Sequence, residues 1–213
     1  MSPGSDSEQA ARTEPPRGRL IVGLGNPGRR YEDTPHNLGF RVIDRLAERN
    51  SLRVSRKECQ AIVGAGVVGG CPVTLAKPQT FMNLSGPSVK SLLTKFSMTT
   101  EDLLLVYDEL ALPWTGLRIR AKGSSGGHNG VESVIGSLGT MDFPRVRLGI
   151  HPGHPVGDGA KFVLAPFRRA QKKELDELLD YASDAVEAVI AEGVEKAMTR
   201  FNRRALGRDE EEE

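Results

Sequence analysis

Cysteine is nearly missing from this sequence: only Cys59 and Cys71 occur in 213 residues. Their spacing fits no thiolate metal motif, and two thiols are too few for a disulfide framework, so the chain suits a reducing cytoplasm. Aromatic residues are scarce as well, at 5%. No apolar run approaches the roughly 20 residues that cross a bilayer as a helix, and none has the form of a signal segment. The polar leader, residues 1–18, contains Asp6, Glu8 and Glu14, which argues against an organelle transit peptide and for disorder. Net charge is only +1, so the chain is no polycation overall, and no internal repeat is visible.

What is present is ordinary in amount and uneven in placement. Charged residues make up 27% and hydrophobic ones 38%, the balance of a soluble globular protein. The length suits one sizeable domain, assigned to residues 19–205, followed by an acidic tail over 206–213. Between Trp114 and Lys173 ten lysines and arginines face three acids, a local excess of +7 on a nearly neutral chain. Such a face suits a polyanionic partner.

The chain is organised around LIVGLGNPGRRYEDTPHNLGFRVID, residues 20–44. Leu20, Ile21 and Val22 read as a buried strand, and Gly23, Gly25 and Gly28 as a sharp turn after it. The spelling G-x-G-x-x-G raises dinucleotide binding, but that motif needs a helix opening at its third glycine. Here Pro27 and a polar run surround Gly28, and helical periodicity begins only after Pro35, through Phe40, Ile43, Leu46 and Ala47. The glycines therefore present Asn26, and a helix start presents His36 and Asn37. Thr34 is the expected N-cap with Pro35 in the first turn, where the dipole disfavours an imidazolium at His36.

Further along, Ala61–Val68 and Pro72–Ala76 form an expected hairpin about Gly69-Gly70. Ser85 is the expected cap of a helix carrying Val89, Leu92, Leu93 and Phe96. Leu103–Tyr107 is a strand covered on both sides, delivering Asp108 and Glu109 at its carboxyl end. Leu117–Ala121 alternates, so Arg118 and Arg120 share a face, as do Arg145 and Arg147 on the strand 145–150. Between these strands come the loop 122–130 and a short helix, Val131–Leu138. A Gly/Pro loop, 151–159, precedes the helix Gln171–Ile190, and a last helical piece ends near Arg204. Strands alternating with helices predict an α/β single domain, a twisted mixed β-sheet flanked by α-helices.

Polar residues collect at strand ends and glycine turns: Asn26, His36, Asn83, Asp108, His128 and Asn129. A histidine held by an aspartate can take a proton from water, and asparagine amides can donate to a developing oxyanion. No nucleophile elbow is present. His151 and His154 lie in a flexible loop without a third ligand, so no metal is expected. Direct attack of water on an ester or amide is the natural class.

GLGNPG, the run from Tyr31 through Thr34, His36 and Asn37 to Gly39, KPQTFMNLSG, VYDEL, GGHNG and RLGIHPG together resemble the bacterial-type peptidyl-tRNA hydrolases over about residues 19–205. The resemblance implies a monomer without metal or other cofactor. It would cleave the ester between a peptide and the terminal ribose of tRNA, recycling tRNA from prematurely released peptidyl-tRNA. It makes His36 the general base and Asp108 its orienting carboxylate. Asn26, Asn83 and Asn129 would place the ester, Tyr31 and Met82 line the cleft, and His128 support its wall. Arg118, Arg120 and Arg147 would hold tRNA phosphate. Two departures stand out: the family commonly has Arg where Pro35 stands, and Lys or Arg where Glu132 stands. A non-catalytic RNA-binding relative should lose the His/Asp pair, and this chain keeps both.

Overall fold

The computed structural model describes residues 18–202. Residues 1–17 of the leader, Arg204 and the acidic tail 206–213 lie outside the described residues, as does any last helical turn near Arg204. At the centre is β1 (Arg19–Gly23), whose side chains alternate between two covered faces. Leu20 and Val22 enter one core with Val89, Leu92, Val131 and Val134, whereas Ile21 enters the other with Val42, Ile43, Leu178 and Val186. A strand apolar on both faces can only be interior, and that fixes the layering.

Seven strands make one sheet in the order β2-β3-β4-β1-β5-β7-β6, with β2 (Arg56–Glu58), β3 (Ala61–Val68), β4 (Cys71–Pro78), β5 (Leu103–Pro113), β6 (Leu117–Arg120) and β7 (Arg145–His151). β1 runs parallel to β4 and β5, and β5 parallel to β7, while β2–β3, β3–β4 and β6–β7 are antiparallel. The sheet is therefore mixed. One face carries α1 (Leu38–Arg49), α5 (Lys172–Glu192) and α6 (Val194–Phe201); the other carries α2 (Ser85–Lys95) and α3 (Asn129–Leu138), while the short α4 (Gly159–Val163) follows β7 in the chain. Outward from the core, Arg45 and Arg49 of α1 pair with Asp176, Asp180, Asp184 and Glu187 of α5. Exposed pairs of this kind contribute about 0–1 kcal/mol each, so apolar burial holds the helices and the charges align them. Among the described residues no helix is long and apolar enough to cross a membrane.

Gly23 and Gly25 of the first turn serve helix packing, whereas a Cβ on Gly28 would meet nothing within 4 Å. A Cβ built on Gly23 would lie 2.1 Å from the Gly39 carbonyl oxygen, and one on Gly39 would lie 2.4 Å from Leu24 N and the Val106 carbonyl oxygen. Only with hydrogen at both positions can α1 press its first turn onto β1 and β5. No α-helix opens at Gly28; a single 3-10 turn, Arg29–Tyr31, follows it.

Several local expectations change. Thr34 does not cap α1, because its hydroxyl donates back to the Tyr31 carbonyl at 2.8 Å and a 3-10 turn, Pro35–Asn37, intervenes. Ser85 lies inside α2 for the same reason, its hydroxyl donating to the Met82 carbonyl at 2.9 Å. β5 continues past Tyr107, since β7 pairs with it through Glu109, so Asp108 and Glu109 sit within the strand. β4 continues to Pro78, α3 starts two residues early, and β2 and α4 were not foreseen.

Gly39→Ala places a methyl against backbone that cannot rotate away. Overpacking of this kind costs about 1–3 kcal/mol, and the variant should show that loss in urea denaturation while turnover falls with it. A denaturation midpoint equal to that of the parent protein would contradict the close approach.

Candidate active site

The loop after β1 is held by side-chain amides. Asn26 N–H donates to Asn37 Oδ1 at 2.9 Å, and Asn37 Nδ2 donates to the Asn26 carbonyl at 2.9 Å. Asn37 thus treats the loop as a strand would treat its neighbour. Asn26 Oδ1 accepts the Met82 N–H at 2.8 Å, tying in the turn that precedes α2. That oxygen is therefore committed, whereas Asn26 Nδ2 has no hydrogen-bond partner among the described residues. A Cβ on Gly130 would meet the Met82 sulfur at 2.4 Å and the His128 ring at 3.1 Å, so Met82, α3 and His128 converge here.

Asp108 lies at the centre of this convergence, 2% exposed. His36, 8% exposed, places Nδ1 3.0 Å from Asp108 Oδ2 and 3.1 Å from Oδ1. His128 places Nε2 3.1 Å from Oδ1. One carboxylate serves two imidazoles, whose ring centres are 4.9 Å apart. The protons can be placed. His128 caps α3, its Nδ1 accepting from Gly130 N at 3.1 Å and Val131 N at 3.3 Å. Its proton must then be on Nε2, donating to Asp108. A carboxylate that accepts from both rings requires His36 to carry its proton on Nδ1, which leaves His36 Nε2 as a free lone pair. Burial pushes the Asp108 carboxyl up, but the electrostatic attraction of the His128 and His36 N–H groups, with the hydrogen bonds they donate, outweighs it and holds the group well below the ordinary carboxylate range.

His36, Asp108 and His128 also bring three ligand atoms within 4.8 Å of one another. A metal there would need the Nε2 proton of His128 removed while Nδ1 stays pinned by two N–H donors, an anionic imidazole. The donor set does not fit a metal. His151 and His154 belong to no such grouping among the described residues.

Asn83 follows Met82 in its 3-10 turn, and Asn129 is the first residue of α3; both are exposed. Tyr31 stands apart. Arg30 stacks 4.4 Å over its ring and donates to its hydroxyl, and no hydrogen bond or ring contact among the described residues joins it to the histidines. Beyond Asn26 and Asn37 opens a cavity of about 390 Å³, with Phe40, Lys77 and Gln79 among its lining residues.

Arg118, Arg120 and Arg147 occupy neighbouring strands as their alternation implies, with Arg118 directly opposite Arg147. Arg120 is exposed. Arg147 is not fully free: its Nε and Nη2 donate to Glu109 Oε2 at 3.0 and 2.7 Å. Arg145 turns inward, donating to the Ser124 and Met141 carbonyls at 3.0 Å each, and so pins the loop that leads to His128. Glu109, Asn37 and Arg145 were given no role in the sequence reading. Their only signal there is position, beside Asp108, beside His36 and two residues before Arg147.

A family model described as peptidyl-tRNA hydrolase matches residues 20–209. The chain belongs to this family. A peptidyl-tRNA hydrolase of Solibacter usitatus is 58% identical over 193 residues, covering 91% of this chain and 98% of its own. One from Koribacter versatilis is 49% identical, covering 87% and 93%. Among solved structures, the peptidyl-tRNA hydrolase of Acinetobacter baumannii superposes with a TM-score of 0.79 at 33% identity, over 86% of this chain and 94% of that one.

The tautomer assignment predicts a pH signature. His128→Asn keeps a side-chain cap for α3 but removes a donor to Asp108, so the carboxyl should move up towards its unfolded value of about 3.9. A depressed carboxyl stabilises the fold fully above the unfolded value and loses that contribution as pH falls through the folded one. The stability gap between parent and variant should therefore be widest near neutrality and close in strong acid. Urea titrations across that range check it, and a gap independent of pH would refute the assignment.

Proposed function

We propose that this protein hydrolyses the ester of peptidyl-tRNA, with His36 as general base and Asp108 as the group that orients it. The observation that carries this reading is the His36–Asp108 pair, with Nδ1 on a buried carboxylate and Nε2 without a hydrogen-bond partner among the described residues. Water on Nε2 gives up a proton as its oxygen attacks the ester carbonyl. The tetrahedral oxyanion is met by amide N–H groups, for which Asn26 Nδ2 and the exposed amides of Asn83 and Asn129 are the candidates. Collapse expels the ribose oxygen, which recovers the proton from His36, leaving free tRNA and a peptide carboxyl group that releases its own proton to solvent. Asp108 keeps its charge throughout and steadies the imidazolium.

Within this reading Met82 and His128 form the wall beside the ester, Tyr31 lies at the outer rim, and the catalytic groups all come from residues 19–205 of one chain. That suits a monomer working in the cytoplasm without metal or cofactor. Arg118, Arg120 and Arg147 take tRNA phosphate, and since Arg147 shares one edge with Glu109, Arg120 is the freest of the three. An unblocked aminoacyl-tRNA brings a charged amine where the peptide has an N–H and a carbonyl. The asparagine amides would then lack partners, which disfavours that substrate.

His36→Ala should fold and lose about 10²–10⁴-fold in kcat, the usual contribution of a positioned base. Release of tRNA from a model peptidyl-tRNA checks this, and near-parental turnover in the folded variant would overturn the assignment. Arg120→Ala should raise KM and flatten its salt dependence by somewhat under one unit, since each neutralised phosphate releases counterions. An unaltered slope would mean that the tRNA backbone docks elsewhere.

A further inference from the structure

Glu109 is a buried acid, 5% exposed, on the sheet face that also carries Arg147 and Arg118. Its Oε1 accepts the Ala111 N–H at 3.0 Å, and its Oε2 takes the whole Nε–Nη2 edge of Arg147. Across the ladder Arg118 faces Arg147 in register, and its Nε is buried without a hydrogen-bond partner among the described residues. Like charges directly opposite on a sheet repel. Glu109 is the carboxylate that offsets this pair, and it is fixed by a backbone donor before any ligand arrives.

We propose that Glu109 is a positioning residue of the phosphate subsite and an internal competitor for its anion, a role that rests on the phosphate reading given above. Two consequences follow from the geometry. Held by one edge, Arg147 can offer a phosphate only its remaining Nη donors, in one orientation. With its charge largely cancelled, Arg147 adds little to a diffuse field. Grip then depends on a phosphate placed to engage Arg147 together with Arg118 or Arg120. A randomly presented polyanion gains less, so the built-in carboxylate favours correctly docked tRNA over RNA in general.

The test uses uncharged tRNA as the ligand and single-stranded homopolymer RNA as the competitor. Glu109→Gln removes the competing charge. The slope of log Kd against log salt should steepen by somewhat under one unit, equivalent to about 3.5-fold in affinity between 50 and 200 mM salt. Homopolymer should also displace tRNA more readily than from the parent protein. Glu109→Asp keeps the charge but is too short to hold the same edge, so its Kd should rise with the slope unaltered; this variant carries the test if the Gln variant does not fold. An unchanged slope and unchanged competition in Glu109→Gln, or an unchanged Kd in Glu109→Asp, would overturn the proposal and leave Glu109 a packing residue. If Arg120→Ala also leaves the slope unaltered, the phosphate reading itself fails, so the two failures are distinguishable.

Discussion

A carboxylate buried in the middle of a sheet must find donors, and Asp108 finds two imidazoles. That one arrangement orders the site around it. His128 reaches Asp108 only because its other nitrogen is fixed as the cap of α3. His36 reaches it only because α1 can press its first turn onto β1 and β5, which two facing glycines permit. Electrostatic attraction to His128 and His36, together with their hydrogen bonds, also keeps Asp108 ionised, outweighing its burial. A charge so held cannot take the proton from His36, which is why the proposed mechanism gives Asp108 the part of orienting the ring and steadying its cationic form.

The strand order distributes the remaining work. β1 and β5 lie side by side at the centre, so the Asn26 loop and Asp108 emerge together. β7 and β6 lie beyond β5, which puts Arg147, Arg118 and Arg120 to one side of the Asp108–histidine cluster. β4 lies on the opposite side and brings Lys77 to the cavity beyond Asn26. Consecutive residues of β5, Asp108 and Glu109, thus serve the histidines and the arginines respectively.

Much of this was legible in the sequence, where local pattern and tertiary outcome agree. The apolar run Leu20–Val22, the alternation in 117–121 and the stripe of α5 each state how they are buried, and the structure follows them. Local hydrogen bonding was less legible. Thr34 and Ser85 have the composition of caps, but a hydroxyl can bond back to the preceding turn as readily as forward, and here both do. Partners distant in sequence were not legible. Nothing in the alternation of Arg145 and Arg147 says that one is pinned to the Ser124 carbonyl and the other to Glu109, because those partners come from elsewhere in the chain. The same holds at Tyr31: its motif position implied a cleft wall but said nothing of the neighbouring Arg30 that stacks on its ring.

The central claim is that one carboxylate holds two histidines in opposite tautomers, His36 with its proton on Nδ1 and His128 with its proton on Nε2. Nitrogen-15 NMR of the imidazoles near neutral pH measures this directly. The account predicts a protonated Nδ1 and bare Nε2 for His36, the reverse for His128, and loss of the single His36 form in Asp108→Asn. A proton on Nε2 of His36 in the parent protein would contradict it, since the nitrogen assigned to activate water would then have no lone pair to offer.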